Sequence, residues 1–229
     1  MELLVLREVY ALRNVRVKFT KDGKSRYISH LDLNRCMLRA VHKSKIPVWY
    51  TEGFNPHPFI TFALPLSLGV RGKCEFMDMK IVEEISNDDI KYKLNECLPD
   101  GINIVNINEP IMKLSDICYA DFNIRIYGNN IDTNKIFEEL NELLNKKEII
   151  VEKKTKSGIK NINFKEYINR YNVLTNDDYV NLDITLCAGN NSNVNPNLLL
   201  NLLIDTVKDD LYTDISRIKL YDKDMLEFE

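Results

Sequence analysis

Two short segments of the chain combine residue types that could bind or act on an anion. The first is residues 29–32, with the sequence SHLD, and the second is residues 53–58, with the sequence GFNPHP. A histidine at a helix start lies where backbone N–H groups favour negative charge. A histidine on a stiff loop could perform acid–base chemistry. His30 and His57 are therefore candidate catalytic residues, with the alternative that each only tethers the local backbone.

The residues around the first histidine predict a helix with one basic side. Ser29 is a predicted N-cap, and Asp32 suits the positive end of a helix. Apolar residues at helical spacing extend this helix to about residue 45, and Pro47 ends it. Basic side chains four residues apart share one face. The predicted RNA- or phosphate-binding residues, taken over both segments, are Arg26, Ser29, His30, Arg35, Arg39, Asn55 and His57.

Prolines shape the second segment. Four of the seven prolines of the chain lie between residues 47 and 65. Each ring fixes φ and removes a backbone donor, which excludes an ordinary helix. Rigid loops that present polar side chains from a packed scaffold often carry function. We therefore predict a stiff loop that leads into a buried strand over residues 59–66.

Charge is distributed unevenly along the 229 residues. The net charge is −3, yet residues 13–80 carry thirteen Lys and Arg against five Asp and Glu, a net charge of +8. Residues 81–229 carry −10. All three histidines lie in the basic part. A basic segment of this kind predicts a polyanionic partner, although a solvated charged surface is the alternative.

Hydrophobic periodicity predicts an α+β fold built from two tandem ferredoxin-like (βαββαβ) units with antiparallel sheets. The basic N-terminal unit spans residues 13–112, and the acidic C-terminal unit spans residues 113–229. In the first unit, strands are predicted near residues 15–19, 59–66, 73–83 and 102–107. Helices are predicted from Ser29 and from Ser86.

The second unit is predicted to repeat this order. Its strands are expected at residues 118–127, 148–154, 179–187 and 215–220, with helices after Asp132 and from Asn195-Pro196. A basic turn over residues 153–160 is a possible second phosphate contact, and residues 162–168 are expected to be a short insert.

Composition predicts a cytoplasmic protein without a cofactor, a metal site or a membrane anchor. No apolar run reaches the length of a membrane helix, and the first residues lack the pattern of a signal peptide. The five cysteines are widely spaced and without a C-x-x-C motif, which favours reduced thiols. Neither histidine spacing matches a metal motif.

Aromatic residues are interleaved with the basic segment. They are Tyr27, Trp49, Tyr50 and Phe54. Basic and aromatic side chains together suit single-stranded RNA, because cations bind phosphates and rings stack on bases. Taken singly, Trp49 and Phe54 are each expected to be core residues.

The sequence resembles the radical-SAM-linked domain of unknown function, a bacterial family encoded beside or fused to a radical SAM protein. The shared pattern is R-[YF]-[IL]-S-H-L-D, then G-F-N-P-[HR]-P and F-A-x-P-L-x-x-G-V. The matching residues are Arg26, Ser29, His30, Asp32, Gly53, Phe54, Asn55, Pro56, Pro58, Pro65 and Gly69. The resemblance is specific over residues 14–82. It implies a radical SAM protein as partner and implies no activity.

Three hypotheses follow. The first is an RNA-binding accessory of a radical SAM enzyme that acts in RNA or ribosome modification. The second is a metal-independent RNA endonuclease, because the first unit is also similar in plan to CRISPR repeat-processing enzymes. In that case His30 or His57 would transfer protons, and Arg26 or Arg35 would stabilise the transition state. The third is a module that binds only protein.

Overall fold

Ten β-strands and four α-helices are found in the described part of the chain, in a mixed α+β fold whose strand pairs are mostly antiparallel. The computed structural model describes residues 12–128, 131–155, 158–189, 192–208 and 210–229. The chain divides into two units. Unit 1 comprises described residues 12–65 and 75–111, and unit 2 comprises residues 66–74 and the described residues from 112 onward.

Unit 1 contains two helices and four strands. In chain order they are β1 (Arg13–Lys21), α1 (His30–Ser44), β2 (Ile60–Phe62), β3 (Arg71–Ile81), α2 (Asn87–Asn95) and β4 (Ile102–Asn108). The first residues of β3 belong to unit 2. The strand order is β4-β1-β3, and β2 pairs antiparallel with β3. The predicted helix starts are confirmed, since Ser29 and Ser86 each accept a hydrogen bond from the backbone three residues on.

Alternation along β1 builds the core of unit 1. Val15, Val17 and Phe19 are buried with Leu33 and Met37 of α1. Residues two apart on a strand face the same side, so the apolar set of β1 meets the helices. Burying each such side chain stabilises the fold by roughly 1.5–3 kcal/mol. The position of α1 relative to the sheet is set by this contact.

Two basic residues of β1 are buried. Lys21 is completely buried, and its Nζ donates to the Ile28 carbonyl at 2.9 Å. Arg16 is only 2% exposed and binds the Asp78 carboxylate with two hydrogen bonds of 2.8 Å. Part of the positive charge counted along residues 13–80 is therefore used inside the fold. Lys21 is the last residue of β1 and lies two residues after Phe19, so both side chains point into the core.

The turn after β1 requires a glycine across from it. Gly101 has φ of +87°, and a Cβ there would lie 2.5 Å from the Asp22 carbonyl oxygen. The Asp22 N–H donates to the Gly101 carbonyl at 2.7 Å. Because this approach excludes any side chain, the start of β4 is held against the end of β1.

Unit 2 contains two helices and six whole strands. They are β5 (Tyr119–Gly128), α3 (Thr133–Asn145), β6 (Ile150–Thr155), β7 (Gly158–Asn163), β8 (Ile168–Thr175), β9 (Val180–Cys187), α4 (Asn197–Val207) and β10 (Leu211–Tyr221). The strand order is β10-β5-β9-β8, with every pair antiparallel. The start of β3 pairs parallel with β10 at Arg71 and Ser216.

The strand beside β9 differs from the prediction. The segment expected there, residues 148–154, forms a separate hairpin in which β6 pairs with β7. The sheet position is taken instead by β8, of which only Ile168 lay in the insert predicted over residues 162–168. Tyr171 and Val173 of β8 pair with Ile184 and Leu182, which are buried. β8 is joined to β9 by only four residues, 176–179, so the strand-like segment that is nearer to β9 in sequence took the sheet position.

No α-helix in the described residues is long and apolar enough to cross a membrane. The five cysteines are free thiols, of which Cys74 is buried and the other four are partly buried.

We predict that the Arg16–Asp78 pair stabilises unit 1 strongly. Asp78→Asn leaves a buried guanidinium without its carboxylate, which costs about 3 kcal/mol of unfolding free energy. Replacing both together, Arg16→Met with Asp78→Leu, should recover most of that loss. Chemical denaturation measures all three proteins.

The control is Asp224→Asn, which removes the carboxylate of the exposed Lys223–Asp224 pair. It should leave the unfolding free energy almost unchanged, since exposed pairs contribute little. Equal losses for Asp78→Asn and Asp224→Asn would contradict the prediction.

Candidate nucleic-acid interface

The start of α1 is built by mutual capping between Ser29 and Asp32. Ser29 Oγ accepts from the Asp32 N–H at 3.1 Å and donates to Asp32 Oδ2 at 2.7 Å. The Ser29 hydrogen bond is the main cause that lowers the pKa of Asp32. Ser29, a predicted phosphate ligand, thus already has both a donor and an acceptor role within the helix start.

His30 follows directly and is partly buried. Its ring packs edge-on against Phe62 of β2, with centroids 5.3 Å apart. Buried Lys21 and buried Glu75 both act electrostatically on it. The imidazole Nδ1 is buried and has no hydrogen-bond partner within the described part of the chain. His30 is therefore wedged between an aromatic ring and two buried charges of opposite sign.

Burial decides the protonation of His30. Loss of solvent lowers its pKa below the ordinary value of 6.5, Lys21 adds to this, and Glu75 opposes it. At neutral pH the ring is thus uncharged. A buried N–H without an acceptor is rarer than an unpaired acceptor, so the proton belongs on Nε2. His30 then offers a donor outward and keeps its lone pair inside, a state suited to binding rather than to accepting a proton.

The outward face of α1 is basic. Arg35, Arg39, His42 and Lys43 are all exposed, whereas Leu33 and Met37 face the core. Arg35 Nη1 contacts Asp32 Oδ1 at 3.3 Å, a pair exposed on both sides. We call Arg35, Arg39, His42 and Lys43 the α1 basic face. Four cationic or polar side chains over two turns of one helix fit the phosphates of a nucleic-acid backbone.

The proline-rich loop is held by its own hydrogen bonds. The Thr51 N–H donates to the His57 carbonyl at 2.9 Å, and the His57 N–H donates to Thr51 Oγ1 at 3.3 Å. Tyr50 and Pro58 form a β-bridge below these contacts. The loop is therefore a closed, hydrogen-bonded tip over residues 50–58, where the proline pattern predicts a stiff loop.

At this tip the two predicted polar ligands behave differently. His57 Nδ1 lies 3.0 Å from the Asn55 carbonyl and 3.2 Å from Thr51 Oγ1. The Asn55 side-chain amide has no hydrogen-bond partner in the described residues. His57 thus stabilises the loop through Nδ1 and leaves Nε2 outward, while Asn55 presents a complete amide.

A hydrogen bond joins this loop to α1. His42 Nδ1 and the Tyr50 hydroxyl are 3.2 Å apart. The α1 basic face therefore ends at the foot of the loop, so Arg35, Arg39 and the loop belong to one surface of unit 1. His30 and His57 form no hydrogen bond with each other in the described part of the chain.

The other predicted residues of this surface have internal partners. Arg26 lies over the Tyr27 ring, 4.8 Å from its centroid, and donates to the Tyr27 hydroxyl. Trp49 packs edge-on against Phe59 at 5.4 Å, and Lys80 lies 5.1 Å from the Trp49 centroid. Trp49 is thus a packed residue rather than a free stacking surface.

Sequence reasoning missed Lys21, Phe62 and Glu75 beside His30. The burial of Lys21 was predictable, because Lys21 continues the alternate-residue pattern of Val15, Val17 and Phe19 along β1. Glu75 gave no such signal, since its neighbours across the sheet lie far away in sequence. The basic turn at residues 153–160 is only partly described, as residues 156–157 fall outside. There Lys153 Nζ donates to the Asn193 carbonyl at 2.6 Å.

Unit 2 has a groove of about 280 Å³ lined by residues of β5, β8, β9 and β10, with Asp121, Arg170 and Thr185 among its polar side chains. Asp121 accepts hydrogen bonds from Thr185 and, at 2.6 Å, from the Tyr221 hydroxyl. Arg170 donates to Thr185 at 2.9 Å and contacts Asp121 at 3.3 Å. Burial and the Asp121 hydrogen bond raise the pKa of Tyr221. These groups satisfy one another, which marks the groove as a structural network.

We predict that His30 titrates below the ordinary histidine pKa and carries its neutral proton on Nε2. At a pH between the His30 pKa of the folded state and that of the unfolded chain, the folded state binds fewer protons than the unfolded chain. The His30 contribution to the unfolding free energy therefore falls as pH drops below about 6.5. Long-range ¹H–¹⁵N NMR of the imidazole rings, followed against pH, measures both properties.

The chain has three histidines, so single His→Gln variants assign each signal. A His30 signal that titrates above 6.5, or a neutral ring protonated on Nδ1, would contradict this environment.

The chain was compared with curated proteins and with solved structures. No curated protein matches the chain. A chain in the crystal structure of a Cbf5-Nop10-Gar1 complex is 10% identical with a TM-score of 0.47. The match covers 89% of this chain and 47% of that one, so this chain spans about half its length. A chain in the crystal structure of an unknown protein from Galdieria sulphuraria is 11% identical in sequence, with a TM-score of 0.27. That match covers 90% of this chain and 99% of the other chain.

The family match is broader than the resemblance noted from the motifs. It extends through the first unit, across β5 to β9 and up to the residue before α4. Both the helix start around His30 and the proline-rich loop lie inside it. Since the model described as "Uncharacterized protein conserved in bacteria (DUF2344)" matches residues 14–196, well over half of the chain, the protein belongs to this bacterial family.

Proposed function

We propose that this protein is an RNA-binding accessory of a radical SAM enzyme that acts in RNA or ribosome modification. The observation that supports it best is the continuity of the α1 basic face with the aromatic, polar loop through the His42–Tyr50 contact. Guanidinium groups pair with phosphates, while rings and amides contact bases. This combination matches the two chemical parts of an RNA strand.

The proposed binding residues keep their roles along this surface. Arg35 and Arg39 bind phosphates, and His30 donates from Nε2 at the helix start. Asn55 and His57 contribute outward polar atoms at the loop. Arg26 and Ser29 are the weaker members of this set, because each already has a partner within its own segment.

Each unit is proposed to be ferredoxin-like. The support is the strand order β4-β1-β3-β2 in unit 1 and β10-β5-β9-β8 in unit 2. In unit 1, α1 follows β1 and α2 connects β3 with β4. In unit 2, α3 follows β5 and α4 connects β9 with β10. The division into units also supports the proposed domain boundary near residue 112, because unit 1 ends at Ile111. Residues 66–74 are the exception, since they belong to unit 2.

The radical SAM partner is proposed from the motif resemblance alone. It is tested by mixing the purified protein with the radical SAM protein of the same bacterium, with and without ribonuclease. Co-elution on size exclusion after ribonuclease treatment supports direct association. Co-elution that disappears with ribonuclease would mean that RNA bridges the two, and no co-elution in either case would contradict the partnership.

For RNA, we predict that Arg35→Ala combined with Arg39→Ala weakens binding and flattens its salt dependence. Each lost phosphate contact should reduce the slope of log K against log salt by about 0.7 on a single strand. The double variant should therefore lose roughly 1.4 in slope. Fluorescence anisotropy with a labelled RNA at several salt concentrations gives both quantities.

The matched control is Lys91→Ala combined with Lys93→Ala, which removes the same charge from α2 of the same unit. It should change the slope much less than the α1 variant. Equal effects would show that only net charge matters. Absence of binding by the unmodified protein at low salt would contradict the RNA function.

The same assay also tests the endonuclease alternative. If the RNA is shortened in the presence of a chelator, and His30→Ala abolishes this, the protein is a nuclease. The outward N–H of His30 favours binding over proton abstraction, so we expect the RNA to stay intact.

A further inference from the structure

Phe54 differs from every other aromatic residue of this surface. Tyr27 is engaged by Arg26, Trp49 by Lys80, and Tyr50 by His42. The Phe54 side chain is fully exposed and makes no ring contact in the described part of the chain. An exposed ring of this size at the tip of a loop has its whole face available to a ligand.

The outward position of Phe54 is built into the loop. The pairing of Thr51 with His57 closes the loop directly beneath the tip. Gly53 has φ of +124°, and no atom lies within 4 Å of the place where its Cβ would be. This left-handed conformation, which glycine adopts readily, turns the chain so that the next residue points away from the scaffold. Phe54 is therefore presented without a large ordering cost on binding.

The neighbours of Phe54 are polar and can form hydrogen bonds. Asn55 has a free side-chain amide, and His57 has an outward Nε2. Glu52, Asn55 and His57 are all exposed. A protein-binding hot spot is instead surrounded by contacts that exclude water. A single ring flanked by free donors and acceptors suits a flat, polar-edged aromatic ligand.

We propose that Phe54 stacks on one unpaired RNA base, with the Asn55 amide on the edge of that base. This proposal rests on the proposed RNA-binding function and adds the class of RNA that is bound. That class is RNA with at least one unpaired nucleotide. Bases within a duplex hide their faces and pairing edges, so only an unpaired base offers both. The phosphates next to that base lie on the α1 basic face, which the His42–Tyr50 contact joins to the loop.

The experiment compares two RNAs that share one stem. One is a blunt hairpin, and the other is the same hairpin with an unpaired 3′ tail. Affinities of the unmodified protein, Phe54→Ala, Phe54→Tyr and Ile111→Ala are measured by fluorescence anisotropy. Ile111 is an exposed apolar residue of unit 1 outside the loop, so Ile111→Ala controls for loss of apolar surface.

The unmodified protein should prefer the tailed hairpin by about tenfold, within the range of a single stacked base. Phe54→Ala should lower binding of the tailed hairpin to the level of the blunt one without changing the latter. Phe54→Tyr and Ile111→Ala should keep the preference.

Other results overturn the proposal in distinguishable ways. If the unmodified protein binds RNA but Phe54→Ala behaves identically, the stacking role is wrong and the RNA function stands. Equal loss on both hairpins would also reject selection of unpaired bases. If the unmodified protein binds neither hairpin, the proposed RNA function fails, and the role of Phe54 fails with it.

Discussion

The surface formed by the α1 basic face and the proline-rich loop depends on the backbone hydrogen bonds of residues 47–59. Proline removes donors, so the remaining amides of residues 47–59 must be satisfied by the adjoining strand or by the loop itself. The Trp49 N–H donates to the Lys80 carbonyl, and the Val82 N–H donates to the Pro47 carbonyl, at 2.9 and 2.8 Å. These bonds attach the foot of the loop to the end of β3. The tip can then project from a fixed base, and the Tyr50 hydroxyl meets His42 on α1.

Charge in unit 1 is divided between the interior and the surface. Arg16 and Lys21 are buried, and Asp78 and Glu75 supply opposite charge from β3. A buried charge requires such compensation, because desolvation is costly. The positive charge that a ligand can reach is therefore smaller than the net charge of +8 counted along residues 13–80. The useful part is the α1 basic face, where Arg35 and Arg39 lie about 6 Å apart along the helix axis. Position, rather than number, makes this charge suitable for a phosphate backbone.

Local features of the fold were predictable from sequence, and long-range ones were not. The caps of α1, α2 and α3 depend on side chains that bond backbone within three residues, so Ser29, Ser86 and Asp132 identified them. The stiff loop was predictable from its prolines, because each ring fixes φ at its own position. By contrast, β6 and β8 both have the composition of a strand. β8 takes the place beside β9, where Tyr171 and Val173 pair with buried Ile184 and Leu182, and composition alone does not distinguish this fit from one with β6. The pocket around His30 was hidden in the same way, since Phe62 and Glu75 reach it only through the sheet.

Two carboxylates of the acidic unit 2 are matched by neighbouring groups within that unit. Asp121 is matched by Tyr221, Thr185 and Arg170, and Asp214 is matched by Arg71 at 3.0 Å. A carboxylate that accepts hydrogen bonds from positive or polar neighbours projects a weaker field than an isolated one. At physiological salt the remaining field fades over about 8 Å. Charges within that distance of the α1 basic face matter most for attraction there, and Arg35, Arg39 and Lys43 supply positive charge on the face itself.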